Sequence, residues 1–258
     1  MNQEVHFLPT YFSDLGKLME EYRESISIPY DDFLEDHILK SQIYILQKCN
    51  DEIGFFGIFG KMITILFVRN EYMSLANAIY VLLKGRFEIQ EAFVPTTDLC
   101  GLAVFLEHFK SIEVQALHFT DSRKKVRLPE YGREMLSIVT IEDLKEIEKS
   151  SGDFIQDLEK RINQNEIFVL KEDGLLLGIG VLVENKIMKD CIGTNMFTIE
   201  SMRGKGIGRS IILHLKDIVY GMGKTPVPGC WYYNTQSRKT LESAGYITKS
   251  KLLRICLL

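Results

Sequence analysis

Cysteine is scarce and scattered in this 258-residue chain: five residues, at positions 49, 100, 191, 230 and 256, with neither CxxC spacing nor the density of a disulfide-built scaffold. That usage fits a reducing compartment, so a cytoplasmic location is expected. An excess of one charge is also lacking. The 31 basic and 35 acidic side chains leave a formal net charge of -4, which gives no bulk attraction to nucleic acid. Every apolar run is broken by a charge or a glycine well before 18 residues, and no basic region precedes an apolar core at the start. Neither a membrane span nor an export signal is expected. Four of the five histidines, all but His214, have no cysteine or carboxylate at metal-ligand spacing, so no metal is expected, and no GxSxG elbow marks a covalent nucleophile.

Apolar residues make up 46% of the chain, enough for real cores, and the length exceeds a common domain of about 100–150 residues, so two domains or one large one are expected. The most informative segment is Arg203-Gly204-Lys205-Gly206-Ile207-Gly208, between an apolar strand-like stretch and a helix with an apolar stripe. Glycines there remove the Cβ atoms that would keep a phosphate off the backbone, and the helix start offers unpaired N–H groups and a positive dipole end. Arg203, Lys205 and Arg209 add charge. Spacing then removes two motifs. A dinucleotide fingerprint needs its third glycine one residue later and an acidic residue where Lys224-Thr225-Pro226-Val227-Pro228 stands. A Walker loop needs Ser or Thr after Gly204-Lys205, and Gly206 follows instead.

What remains, R-x-x-G-x-G after a strand, resembles the acetyl-CoA signature of the GNAT superfamily, the acetyl-CoA-dependent N-acetyltransferases. The flanks extend the resemblance over residues 135–258. Residues 192–200 read as a strand; Ile211, Ile212, Leu215, Ile218 and Val219 share one helical face, with Gly221 and Gly223 as stop signals. Cys230-Trp231-Tyr232-Tyr233 reads as a short strand, Asn234-Thr235-Gln236-Ser237 opens a helix ending at Ala244-Gly245-Tyr246, and 249–258 reads as a final strand. The resemblance implies that the backbone of Met196, Phe197 and Thr198 holds the pantetheine arm. It implies that Arg203, Gly204, Lys205, Gly206, Ile207, Gly208, Arg209 and Ser210 hold the pyrophosphate, with Asn234 and Ser237 completing the site. The strands at 194–200 and up to Tyr233 would splay to leave a slot, and an N–H near Phe197 or Thr198 would polarise the thioester carbonyl.

The two halves share a pattern. Ile43 to Lys48 resembles Ile167 to Glu172, and, without a gap, Ile53 to Ile58 falls on Leu177 to Leu182; helical segments at 31–39 and 153–162 precede them. An internal duplication accounts for this. The first copy has a strand at 62–68 and a helix at 71–84, but its junction reads Asn70-Glu71-Tyr72-Met73-Ser74-Leu75; aligning apolar stripes sets Asn70 opposite Arg203, Met73 opposite Gly206 and Leu75 opposite Gly208. Side chains would fill the phosphate space and Glu71 would repel it. The expected fold is therefore α/β with two GNAT-like lobes, each a twisted, mixed, mainly antiparallel sheet flanked by helices. Residues 1–125 form a degenerate lobe, either structural or walling an acceptor pocket, and 126–258 the lobe that binds acetyl-CoA. The join, at 121–133, carries Arg123, Lys124, Lys125, Arg127 and Arg133: a solvated linker, or a patch for the coenzyme's 3'-phosphate.

Direct acetyl transfer needs the acceptor amine deprotonated and the leaving thiolate protonated. The usual GNAT acid, a tyrosine seven residues after the Asn opening the last helix, is here Leu241. Tyr233 is the candidate acid, with Tyr232 beside it on the opposite strand face; both are otherwise sheet aromatics. Glu200 is the candidate base, or else a cap of the cradle helix or a partner of Arg203, with Glu242 less favoured and a water chain as the substitute. His214 reads as solvated surface, Cys191 and Cys230 as small hydrophobes, with an acyl-cysteine as the sharper alternative, and Trp231 as core. The expected function is transfer of an acetyl group from acetyl-CoA, as co-substrate, to a primary amine of a small molecule or peptide, with a homodimer open. The alternatives are a non-catalytic acyl-CoA-binding or sensing module, and a protein whose glycine turn holds another phosphate.

Overall fold

The computed structural model describes residues 5–258, apart from the side chain of Asp153. The chain divides into two compact units, one formed by the chain up to His118 together with Lys249–Leu258, the other by Phe119–Thr248. In chain order the elements are β1 (Val5–Thr10), α1 (Gly16–Ser25), α2 (Asp32–Leu39), β2 (Gln42–Lys48), β3 (Asp51–Phe59), β4 (Met62–Val68), α3 (Ala76–Phe87), β5 (Glu91–Pro95), α4 (Leu99–Phe105) and β6 (Phe109–Asp121). There follow β7 (Leu136–Ile138), α5 (Leu144–Ser151), α6 (Leu158–Asn163), β8 (Ile167–Glu172), β9 (Leu175–Glu184), β10 (Cys191–Thr198), α7 (Ile207–Gly221), β11 (Thr225–Val227), β12 (Gly229–Trp231), α8 (Thr235–Ser243) and β13 (Tyr246–Leu257).

The first unit holds the strand order β1-β2-β3-β4-β5-β13-β6. Its last-but-one member corrects the expected boundary at 125/126: residues 249–258 belong to the first unit and not to the second. The reason is local. Leu252 and Ile255 are buried beside β5, with which β13 pairs antiparallel from Leu252↔Pro95 to Cys256↔Glu91, and Arg254 forks onto Glu91 at 2.7 and 2.9 Å. The second unit is built on the order β11-β10-β9-β8-β7.

The duplication is written in strand register. The β2–β3 hairpin runs Ile43↔Gly57 to Leu46↔Gly54, then slips so that Gln47 meets Glu52. The β8–β9 hairpin runs Ile167↔Val181 to Leu170↔Gly178, then slips so that Lys171 meets Leu176. The irregularity falls at the same place in both, and bulges of this kind are built features of a fold rather than accidents.

In each unit the helix after the third of these strands lies on the sheet. Ile207, Ile211, Leu215 and Val219, one turn apart on α7, bury completely against Leu177, Leu182 and Ile192. Close approach depends on Gly180: a Cβ there would lie 2.9 Å from Ile211 and 3.0 Å from Leu215. The unit's second core, on the opposite face of the sheet, joins Ile147 and Ile162 of α5 and α6 to Ile179, Val181 and Phe197.

Boundaries shift in three places. Residues 153–162, expected as one helix, form a 3-10 turn at Gly152–Phe154 and then α6. The helix expected from 71 is a 3-10 segment, Asn70–Leu75, before α3. The strand expected at 230–233 is β12, which stops at Trp231; Tyr232 and Tyr233 form the turn after it, so strand alternation does not set their faces.

Candidate functional site

Strands β10 and β11 pair in parallel only over Cys191↔Thr225, Ile192↔Pro226 and Gly193↔Val227. Pro228 then sends its carbonyl to the N–H of Phe119, and β12 turns away from β10. Prolines at 226 and 228 have no N–H to offer a neighbouring strand, which favours the parting here. Beyond Gly193, therefore, one edge of β10 is open. Ile199 donates its N–H to Leu177, so by strand alternation Asn195 and Phe197 turn their backbone groups toward β9. Thr194, Met196 and Thr198 turn theirs to the open edge. An N–H of Thr198 faces the slot; that of Phe197 does not, which separates the two residues that sequence had left together.

At the end of this edge, after a 3-10 turn at Glu200–Met202, come Gly204 and Gly206 with φ of 81° and 83°, a left-handed conformation that favours glycine, and then the first turn of α7. No side chain caps that helix. A Cβ at Gly204 would meet nothing within 4 Å, and one at Gly208 would meet Thr198 Oγ1 at 3.1 Å, so the cradle is open over its first half and snug at its base. A Cβ at Gly206 would run into the carboxylate of Glu130. Together these elements line a cleft of about 960 Å³, with Arg203, Lys205, Lys239 and Arg127 supplying positive charge and α8 forming the opposite wall through Gln236, Ser237, Thr240 and Leu241.

Residues 127–131 are not a solvated linker. They are strapped to α7. Arg209, 6% exposed, donates to the Glu130 carboxylate from Nε (3.1 Å) and Nη2 (2.8 Å), and to the carbonyl oxygens of Arg127 (2.7 Å) and Leu128. Ser210 Oγ accepts from the N–H groups of Glu130 (3.0 Å) and Tyr131 (3.2 Å) and itself reaches Gly206 O (3.0 Å). His214 Nε2 lies 2.8 Å from Tyr131 O and is buried, which corrects its reading as surface. Arg127 closes the group by pairing with Glu130. Burial lowers the pKa of Arg209, and the strap's oxygens surround its guanidinium. Arg209 and Ser210 thus build the wall of the cradle, where sequence had put them in the role of phosphate ligands.

The described first half lacks this cradle. Counting from the matched strand ends, Val68 and Thr198, the loop before the helix is one residue shorter, and the residue that opens α3 is Leu75, with φ of -94°, where α7 has Gly206. Leu75, rather than Met73, stands opposite Gly206; Met73 packs into the core of the first unit. Arg69 is bidentate to Glu21 at 2.6 and 3.0 Å beside Glu71, along a smaller cleft of about 480 Å³.

Residues 12–122 match the acetyltransferase (GNAT) domain family. Among solved structures, the chain is similar to an acetyltransferase of the GNAT family from Colwellia psychrerythraea, at 18% identity and a TM-score of 0.89, covering 99% of this chain and 100% of that one. A tandem GNAT protein from the clavulanic acid biosynthesis pathway is matched over 98% of both chains (11% identity, TM-score 0.60). A GCN5-related N-acetyltransferase from Sphaerobacter thermophilus is matched over 98% and 95% (11%, 0.65). The whole chain shares the fold of these GNAT structures, and by sequence the family is matched on residues 12–122. No curated protein sequence matches the chain.

The family is thus matched in sequence on the half without the cradle, while the glycine motif stands in the other. Of the residues expected at the site, Met196, Phe197, Thr198, Arg203, Gly204, Lys205, Gly206, Ile207, Gly208, Arg209, Asn234 and Ser237 line one cleft, with Ser210 behind it. Asn234 also caps α8, accepting from Ser237 N at 3.0 Å. Neither proposed acid nor proposed base is among the lining residues. Tyr233 is 65% exposed in the turn, its ring edge-on to Trp231 and Tyr232, and the Glu200 side chain is 89% exposed, 3.9 Å from Arg203. Trp231, expected in the core, is exposed; Cys230 is buried and lines the cleft, and Cys191 is buried at the base of the slot. Leu241, at the position of the usual tyrosine, is buried in the cleft wall. Sequence reasoning missed Glu130, Lys239 and Phe154; Arg127 alone of the basic residues named at the join lines the cleft. A signal for the segment at Glu130 existed: Ser210 and His214, one turn apart among the apolar residues of α7, need polar partners.

Among the described residues no group of three or more His, Cys, Asp or Glu is arranged to hold a metal, and no helix is long and apolar enough to cross a membrane.

Proposed function

We propose that the second unit binds acetyl-CoA and transfers its acetyl group to an amine of a small molecule or peptide. The observation that carries this is the continuity, in one cleft, of an open β10 edge with the glycine-bearing N-terminus of α7. The donor set suits the coenzyme: uncapped helix N–H groups and left-handed Gly204 and Gly206 for a pyrophosphate, Arg203, Lys205, Arg127 and Lys239 for phosphate charge, and alternate backbone groups at Thr194, Met196 and Thr198 for an amide-bearing arm. Bound there, the thioester supplies an activated acetyl group. The amine nitrogen forms the C–N bond as the C–S bond breaks; the nitrogen gives one proton to water, and the departing sulfur takes one. The Thr198 or Met196 N–H on the open edge is the donor for the developing oxyanion.

A second reading, an acyl-CoA-binding module without turnover, is favoured by Leu241, which leaves no phenol at the expected acid position. Titration with acetyl-CoA, followed by heat release and with Gly206→Glu as control, tests the coenzyme site. Thiol release with a panel of amines then separates the readings: binding without turnover selects the second, and absence of binding rejects both.

A further inference from the structure

We infer that the acceptor presents its amine on an aromatic or branched apolar body, held by Phe154 and Phe197, and is not a polycation. The inference rests on the acetyl-transfer reading of the same cleft. The two faces of β10 differ. Met196 packs on the α7 face with Ile207 and Ile211, the side on which the cradle and its basic residues lie. Phe197 points to the other face, with the α5–α6 core, and Phe154 from the turn before α6 lies against it, ring centroids 5.3 Å apart and planes at 35°. Both residues line the cleft, and Phe154 keeps 39% of its surface exposed. Phosphates held by the cradle occupy the α7 side, so a nucleophile reaching the open edge of β10 arrives past Phe154 and Phe197.

Charge selects among amines. The sole carboxylate among the described residues lining the cleft is Glu130, on the cradle side and paired with Arg209 and Arg127. With the cleft's cations taken up by the coenzyme's phosphates, a polyamine or aminoglycoside would bring several ammonium groups to a site that offers them no free carboxylate, and would lose their hydration without an acidic partner. An apolar body instead covers the exposed Phe154 ring and what half-buried Phe197 leaves open.

The test compares 2-phenylethylamine, ethanolamine and spermidine as acceptors and as ligands of the full chain, by thiol release with acetyl-CoA and by calorimetry in the presence of coenzyme A. Expected is a kcat/KM for 2-phenylethylamine at least tenfold above that for spermidine. Phe154→Ala should lower it by about tenfold, through KM, with KM for acetyl-CoA unchanged and Phe154→Leu recovering part of the loss. Preference for spermidine, or an unaltered 2-phenylethylamine KM in Phe154→Ala, overturns the inference. If acetyl-CoA fails to bind, or binds without turnover, acetyl transfer falls while the acceptor site is still judged by calorimetry. Saturable 2-phenylethylamine binding lost in Phe154→Ala supports the site, and no such binding overturns it.

Discussion

Arg209 and Glu130, separated by 79 positions in the chain, meet at 2.8 Å beside Gly206, so a guanidinium one turn into α7 fixes the position of a carboxylate at the mouth of the cradle. The pair is neither an exposed ion pair nor a dry one. It is a clamp, since the same guanidinium also holds two backbone carbonyls.

Replacing Arg209 by Lys keeps the charge and loses the planar fork. The variant should be less stable by about 2–4 kcal/mol and should bind acetyl-CoA at least tenfold more weakly, because the wall of the cradle loosens. Arg203→Ala, at an exposed site whose partner Glu200 is 3.9 Å away, should leave stability within about 0.5 kcal/mol and lower only affinity. Thermal unfolding and calorimetry on both variants measure the contrast; equal loss of stability in the two would disprove the clamp.

Gly206→Ala places a Cβ against the Glu130 carboxylate at a residue with φ of 83°, and should cost about 1–2 kcal/mol together with most of the acetyl-CoA affinity. Leu75→Ala, the counterpart in the first unit, should reduce stability by packing loss alone and leave coenzyme affinity as it was. A matching loss of affinity from Leu75→Ala would mean that both units bind.

The exposed positions of Tyr233 and Glu200 predict modest effects. Tyr233→Phe and Glu200→Gln should each retain at least half of kcat with any accepted amine. A fall of a hundredfold in either would return that residue to the role sequence suggested.

Asp98 caps α4, accepting from Gly101 N at 2.9 Å, and burial pushes its carboxyl from 3.8 up to about 6 against the opposing pull of the Gly101 and Cys100 N–H groups. A raised carboxyl pKa means that the folded chain holds a proton the unfolded chain has lost, so this group's contribution falls as pH rises from about 4 to 6. Asn keeps the capping oxygen without the charge. Asp98→Asn should therefore be the more stable form at pH 7.5, by at most about 3 kcal/mol, with the advantage gone near pH 4. Melting curves at the two pH values decide it; a variant less stable at pH 7.5 by more than a capping bond would refute the account.

Legibility followed range. The hairpins at 43–58 and 167–182 were readable because β patterning is local, whereas the shared slip at Gln47 and Lys171 shows only in the pairing register. The cradle was readable because a strand-to-helix turn that needs φ near 80° and no Cβ leaves glycine as the residue of choice. Contacts across long separations were not. A run of basic residues at 123–133 looks the same in a linker as in a strap, and only the chain's path shows that Arg209 turns inward to meet it. The burial of His214, likewise, depends on Tyr131 arriving from 83 positions away. Tyr232 and Tyr233 carried strong β propensity, and the turn that Asn234 makes in capping α8 outweighed it.

The insertion of β13 between β5 and β6 sets an order of events during synthesis. Residues 119–248 can leave the ribosome and close their sheet while the earlier residues still lack a central strand, with the β5 edge unpaired until Leu252 to Cys256 emerge. The first unit thus cannot close its sheet until the strand most distant in sequence from its start has been made, and until then the β5 edge is open to pairing with other strands.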